Sequence, residues 1–119
     1  NDYQALWQVL RDARDSNMPA IMVPNAMRCI LEHFFWFTHQ EDKFKDALKK
    51  VGDEDATFAP LARYLDRGSH RDGINITVTD FNQYDMNYYF TKFQAVFVAA
   101  GFGDHYSANM GAAEEQTAT

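Results

Sequence analysis

The sequence predicts an all-α protein, a bundle of about five helices with one short extended arm. Apolar residues recur at spacings of three and four in several segments, which is the pattern of amphipathic helices. Of the 119 residues, 46% are hydrophobic and 15% are aromatic, which suffices for one packed core. Ile74 to Val78 alternates apolar and polar residues as a strand does, but no second convincing strand is available to pair with it. We therefore expect a single helical domain.

The most apolar segment, PNAMRCILEHFFWFTH, predicts a central helix over Pro24 to His39. Pro24 suits the first helical turn, where a missing N–H costs nothing. At about 100° per residue, Arg28, Glu32 and His39 lie within about 40° of one another and form one polar stripe on an otherwise apolar helix. Two interpretations remain open: Arg28 and Glu32 form an ion pair with each other, or they form half of an active site.

The other helices follow from the same periodicity and from their terminal residues. The predicted segments are Asp2 to about Ser16, Gln40 to Val51, Phe58 to Gly68, and Phe81 to Ala100 with Thr79 and Asp80 as its cap. The crossing before Pro24 and the acidic turn from Gly52 to Asp55 are predicted to be non-helical. Beyond His105 the sequence is small and polar. We therefore expect a helical domain over residues 1–103 and a flexible polar tail over residues 104–119.

Charge and composition exclude several classes of function. The net charge of −6 argues against broad affinity for nucleic acid, so any such site must be local. No segment has the pattern of a transmembrane helix or of a signal peptide, so we expect a cytoplasmic protein without membrane contact. Cys29 cannot form an internal disulfide and is interpreted as an inert core thiol. His33 and His39 fall on opposite helix faces, and no Cys pair or HExxH occurs, so we expect no metal site.

The sequence RYLDRGSHR forms a small basic segment in this acidic chain. Arg63, Arg67 and His70 stand at i, i+4 and i+7, so one helical face and its end would place two guanidinium groups beside an imidazole, with Arg71 following. Guanidinium groups match the geometry of phosphate, and histidine transfers protons near neutral pH. The pattern indicates either a phosphate-binding site or an ordinary helix C-terminus that carries favourable cations.

These two motifs carry a resemblance to a known family. Arg28-x-x-x-Glu32 after VPNAMR, followed by RYLDRGSH, resembles the C-terminal nuclease region of the PrrC/RloC-like, ATPase-linked bacterial anticodon nucleases. The opening NDYQALWQVL also looks like the segment that follows the ATPase core in that family. Those enzymes are similar to HEPN ribonucleases, all-helical domains with an Arg-x(4 to 6)-His motif that Arg63 to His70 matches. The resemblance covers roughly Tyr3 to Gly103.

The resemblance implies a metal-independent endoribonuclease domain, similar to tRNA anticodon nucleases, within a larger ATP-controlled antiphage defence protein. It implies that Arg28, Glu32 and His70 are catalytic. It implies that flanking RNA phosphates are bound by Arg63, Arg67 and Arg71. It also implies RNA, in particular tRNA, as the partner, and a homodimer or higher oligomer. No cofactor is expected in this domain, whereas ATP or GTP is expected in a linked ATPase domain.

Two other functions remain open. The chain would be a noncatalytic dimerisation or sensing domain of the same ATPase class if Arg28, Glu32 and His70 form a structural network. It would be a free-standing antitoxin-like partner if the intact gene product is no longer than this chain. Geometry separates the first of these from the nuclease: convergence in a solvent-reachable cleft favours the nuclease, and burial of Arg28 and Glu32 away from His70 favours the module.

Overall fold

The computed structural model describes residues 2–16, 22–66 and 86–111, and these residues form an all-α bundle without a strand. Its α-helices are α1 (Asp2–Ser16), α2 (Met22–Leu31), α3 (Glu41–Glu54), α4 (Ala59–Leu65), α5 (Met86–Ala99) and α6 (Gly103–Met110). A π-helix, Glu32–Trp36, continues α2, and a 3₁₀ turn, Ala56–Phe58, precedes α4. The all-α prediction is confirmed. The predicted arm, Ile74 to Val78, lies outside the described residues.

The predicted apolar stripes of α1 and α5 form the centre of the core. In α1, Trp7 and Leu10 are fully buried, and the Trp7 ring lies 5.8 Å from the rings of both Phe93 and Phe97 on α5. The remaining buried residues of α5 are Tyr89, Phe90 and Val96. Because these positions recur every three or four residues, one face of each helix points inward. The prediction of α1 is confirmed in type and in bounds.

The central helix differs from its prediction at both ends. Met22 and Val23 are already helical. Pro24 permits this, because it still lies in the first turn, where a backbone N–H would have no intrahelical acceptor. After Leu31 the helix widens: the N–H of Gln40 donates to the carbonyl of Phe35 at 2.8 Å, a five-residue step. Such widening changes which residues share a face.

His39 therefore does not extend the polar stripe of Arg28 and Glu32. It lies in the turn after the π-helix, is exposed, and has a φ of 58° in the left-handed region. The widened turn places Phe35 in the core, with its ring 5.2 Å from the ring of Phe44 on α3. The predicted stripe thus ends at Glu32.

The predicted acidic turn after α3 is wrong for its first three residues. Gly52, Asp53 and Glu54 belong to α3, and Lys49 pairs with Asp53 at 2.9 Å across one turn. The helix ends at Glu54, and the backbone of the next residue, Asp55, is extended while its carboxylate accepts from the N–H of Thr57 at 3.0 Å. A local ion pair at spacing i, i+4 supports this added helical turn.

Helix α4 is shorter than predicted. It ends at Leu65 instead of Gly68, because Asp66 adopts extended backbone angles while its N–H closes the last turn on the carbonyl of Ala62 at 2.9 Å. Of the predicted basic face, α4 therefore carries Arg63 alone. Arg67, His70 and Arg71 lie outside the described residues.

The predicted tail after residue 103 is wrong where it is described. Gly103–Met110 forms α6, with Tyr106 and Met110 buried one turn apart against the rest of the bundle. Arg14 of α1 donates from Nη1 to the carbonyl of Met110 at 2.9 Å, which satisfies a carbonyl that the helix end leaves without an intrahelical partner. The folded domain therefore continues through Met110, because tertiary partners order a segment whose own composition is polar.

Candidate functional site

Arg28 lies on α2 and faces α4. Its side chain is half-buried, and its guanidinium carbon lies 5.3 Å from the centroid of the Tyr64 ring on α4. Its Nη2 donates a long hydrogen bond of 3.3 Å to Oδ1 of Asn25, one turn earlier on α2. The Nε of Arg28 is buried and has no hydrogen-bond partner in the described residues. Arg28 is thus held between two helices by a ring and an amide.

Glu32 is the predicted ion-pair partner of Arg28, but the two side chains do not pair. No ion pair or hydrogen bond engages the half-buried Glu32 carboxylate within residues 2–16, 22–66 and 86–111. Side chains on a helix lean toward its N-terminus, so Arg28 reaches back to Asn25 instead of forward to Glu32. Neither charge is neutralised by the other, and neither is sealed in the core.

Tyr64 adds an aromatic hydroxyl to this site. Burial raises the pKa of Tyr64 and Cys29 adds to that rise, while the positive charge of Arg28 and a side-chain hydrogen bond with Arg28 oppose it. Cys29, interpreted from the sequence as an inert core thiol, is half-buried. Tyr64 was not singled out as a site residue by sequence reasoning. The available signal was its place beside Arg63 in RYLDRGSH, on the helix turn that faces α2.

The other predicted site residues divide into two groups. Arg63 is exposed on α4, directly before Tyr64 in the chain. Arg67, His70 and Arg71 lie outside the described residues, so the predicted convergence of His70 with Arg28 and Glu32 stays a prediction. His70 stands four residues after Asp66, a distance that an extended chain spans in at most about 14 Å.

A second polar cluster, absent from the sequence prediction, joins α1 to α6. The Tyr3 hydroxyl lies 2.6 Å from Nε2 of His105, and the His105 ring stacks on Phe34 with centroids 4.3 Å apart. Asn109 donates from its amide to the carbonyl of His105 at 2.9 Å. Burial lowers the pKa of His105. These half-buried groups bond to one another and fix α6 against α1.

The described residues hold no group of three or more His, Cys, Asp or Glu side chains placed to bind a metal ion. In the same segments, no helix combines the length and the apolar character that crossing a bilayer requires. The chemistry that these residues offer is that of a guanidinium on α2, a carboxylate at the start of the π-helix and a phenol on α4.

Comparison with known families adds one finding. A family model described as an AAA domain matches residues 1–98. The chain belongs to this AAA domain family. The match takes in α1 to α4 and nearly all of α5, and therefore includes Arg28, Glu32 and the RYLDRGSH segment. No curated protein and no solved structure matches the chain.

The printed sequence lacks the nucleotide-binding loop that many ATPases contain. Its 119 residues include no glycine-rich loop of the form G-x-x-x-x-G-K-[ST], which binds nucleotide phosphates in many ATPases. The part of the chain that the structure describes is a helical bundle in which neither Arg28 nor Glu32 forms an ion pair. The family membership agrees with the expected link to an ATPase.

Proposed function

We propose that this AAA domain family segment is a metal-independent endoribonuclease domain of an ATP-controlled antiphage defence protein, with tRNA as its RNA class. The observation that carries the proposal is the half-buried guanidinium of Arg28, which has no carboxylate partner in the described residues. Arginine is seldom buried without a partner, because removing its charge from water is costly. An anionic ligand would supply the missing partner.

The donors of Arg28 suit a phosphate. A guanidinium offers five N–H donors in a planar fork, and Arg28 uses one of them in a 3.3 Å bond to Asn25. The Nη donors that remain match two oxygens of a phosphodiester, and they would stabilise the additional negative charge of a phosphorane. The Tyr64 ring attracts the same cation through its face.

The proposed reaction is cleavage by the neighbouring ribose. The 2′-oxygen forms a bond to phosphorus, the bond from phosphorus to the 5′-oxygen breaks, and a cyclic phosphate remains. One group removes the proton of the 2′-hydroxyl, and another gives a proton to the leaving 5′-oxygen. His70 performs one of these transfers in the proposal, and Glu32 performs the other or orients Arg28 or His70. The reaction is balanced without any further reactant.

RNA binding is assigned to a local basic surface, since the chain carries a net charge of −6. Arg63 is exposed at the site's edge, and Arg67 and Arg71 follow it in the sequence. These three arginines would bind phosphates that flank the scissile bond. The proposal includes a homodimer or higher oligomer, with ATP or GTP bound in a linked ATPase domain.

One observation favours a second function, a noncatalytic dimerisation or sensing module. The Arg28 contact with Tyr64 joins α2 to α4 and would serve equally well as a structural link. In that case Arg28 would contribute to stability and to the docking of an ATPase domain, and no RNA would be cut. Only an activity assay distinguishes the nuclease from the noncatalytic module, because the contact between Arg28 and Tyr64 is the same in both.

The test incubates the full-length gene product with total tRNA, with and without ATP, in the presence and absence of a chelator. We expect cleavage in chelator by the unmodified protein, and cleavage slower by at least about 10²-fold but still measurable in Arg28→Gln and Glu32→Gln. Lys49→Gln is the matched control, because it removes one charge from an exposed pair on α3 and should leave cleavage unchanged. Folded protein that leaves every tRNA intact under all these conditions would favour the noncatalytic module.

A further inference from the structure

The guanidinium of Arg28 has an unusual combination of neighbours: a ring face on α4, one amide on α2, and no carboxylate in the described residues. Arginine has a long side chain that loses rotamer entropy when it is fixed, so an arginine at a site of catalysis that no carboxylate holds must be held by other means. The Tyr64 ring is the largest group in contact with it.

We infer that Tyr64 is a positioning residue for Arg28 in the proposed cleavage, holding the guanidinium at the phosphate through its ring face. The inference rests on the proposed nuclease function. Tyr64 lies on α4, whose residues pack against α2, so the ring belongs to a rigid element and is not carried on a loop. A cation on a ring face is attracted electrostatically without use of its N–H donors.

Lys92 also contacts a tyrosine ring, but unlike Arg28 it forms an ion pair as well. Lys92 lies 5.7 Å from the ring centroid of Tyr88, yet its Nζ also pairs with Oδ2 of Asp55 at 2.9 Å. That cation is neutralised within the fold, and its ring contact is one part of a closed structural cluster. Within residues 2–16, 22–66 and 86–111, Arg28 has the ring without a carboxylate. The two half-buried tyrosines therefore form a matched pair, in which Tyr64 faces a cation that no described carboxylate neutralises.

The ring face holds Arg28 in this proposal, and the hydroxyl, which also forms a side-chain hydrogen bond with Arg28, is removed separately. Tyr64→Phe retains the face and should keep kcat close to that of the unmodified protein. Tyr64→Leu fills much of the same space without a face, and it should lower kcat about tenfold with little change in KM, the worth of a partly desolvated cation–π contact. A merely structural role would lower stability without this division between kcat and KM.

The experiment measures kcat, KM and melting for these variants of the full-length gene product on one tRNA substrate in chelator. Tyr88→Leu is the control and should change melting but not kcat. If Tyr64→Leu does not fold at the assay temperature, Tyr64→Met replaces it, because methionine adapts to irregular spaces. In an Arg28→Gln background, Tyr64→Leu should cause no further loss, since residues that act as a unit are not additive.

The possible results separate the proposed nuclease function from the positioning role of Tyr64. An unmodified protein that cuts no RNA overturns the proposed function and this inference together. Cleavage by the unmodified protein with an unchanged kcat in folded Tyr64→Leu overturns the inference and leaves the proposed function standing. The same holds if Tyr64→Phe loses as much activity as Tyr64→Leu, or if the losses of Arg28→Gln and Tyr64→Leu multiply.

Discussion

The Tyr3 hydroxyl lies 2.6 Å from Nε2 of His105, so the first and last described helices are joined across 102 positions of the sequence. The His105 ring also stacks on Phe34 of the π-helix. Three segments of the bundle therefore meet at one imidazole. This contact explains why residues whose composition suggests a polar tail are instead a helix of the domain.

Removing this hydrogen bond should have a measurable but moderate cost. Tyr3→Phe deletes the hydroxyl and keeps the ring, so we expect a loss of about 1 kcal/mol in the free energy of unfolding. Urea titration of the purified protein measures it. A change near zero would mean that water replaces the bond at no cost, and that α6 is held by its apolar contacts alone.

The same cluster predicts a pH dependence of stability. Burial lowers the pKa of His105 below its ordinary 6.5, so below that pH the unfolded chain binds a proton at this residue before the folded chain does. The stabilising contribution is therefore fully present above 6.5 and is lost as the pH falls toward the lowered pKa. His105→Gln should be less stable than the unmodified protein at pH 8, with the difference shrinking at pH 5. A difference that is constant across this range would contradict the assignment.

Helix α6 should carry part of the core energy. Tyr106 is buried, so Tyr106→Ala should cost about 3 kcal/mol in a denaturant titration, as large truncations in cores do. Ser107→Ala is the control on the exposed side of the same helix and should stay within about 0.5 kcal/mol. Equal, negligible effects of the two changes would restore the interpretation of this segment as a tail.

Phe93 tests the centre of the bundle. It is fully buried and its ring lies near those of Trp7 and Phe97, so Phe93→Ala should cost about 3 to 5 kcal/mol. Gln94→Ala, on the exposed side of α5, serves as the control. A loss below about 1 kcal/mol in a denaturant titration would show that this face of α5 does not form the core.

The proposed RNA surface predicts a local salt dependence. Each phosphate contact with a single strand adds roughly −0.7 to the slope of log affinity against log salt concentration, so Arg63→Gln and Arg67→Gln should each make the slope shallower by about that amount. Lys49→Gln, exposed on α3, should leave it unchanged. If neither arginine variant alters the slope, the RNA binds elsewhere or does not bind.

His70 is the sharpest test of the proposed chemistry. His70→Ala should change stability by at most about 0.5 kcal/mol, because the sequence places it outside every apolar stripe. If it transfers a proton, the same change should lower cleavage by roughly 10²-fold to 10⁴-fold. His39→Asn is the control, since His39 is exposed and asparagine tolerates its left-handed backbone. Full cleavage by a folded His70→Ala protein would end the assignment, and unfolding would move His70 into a structural network.

The periodicity of the sequence was enough to predict the fold class and the helices that bury one continuous stripe. Helix α1 begins and ends where its pattern predicts, and α5 buries Tyr89, Phe93 and Phe97, which recur at the spacing of its apolar pattern. Burial of apolar area is the dominant stabilising term, and it depends on a spacing that is visible in the chain itself. The same spacing placed Arg28 and Glu32 one turn apart in α2 and the π-helix that follows it.

Tertiary packing decided the rest. The π-helix after Leu31 brings Phe35 into the core and carries His39 off the predicted stripe, and no local propensity encodes that wider turn. Helix α6 is stabilised by Tyr3 and by arginines more than ninety positions earlier, contacts that composition does not reveal. Arg28 meets Tyr64 and not Glu32 because α4 packs beside α2, and only the packed helices bring that ring to the guanidinium.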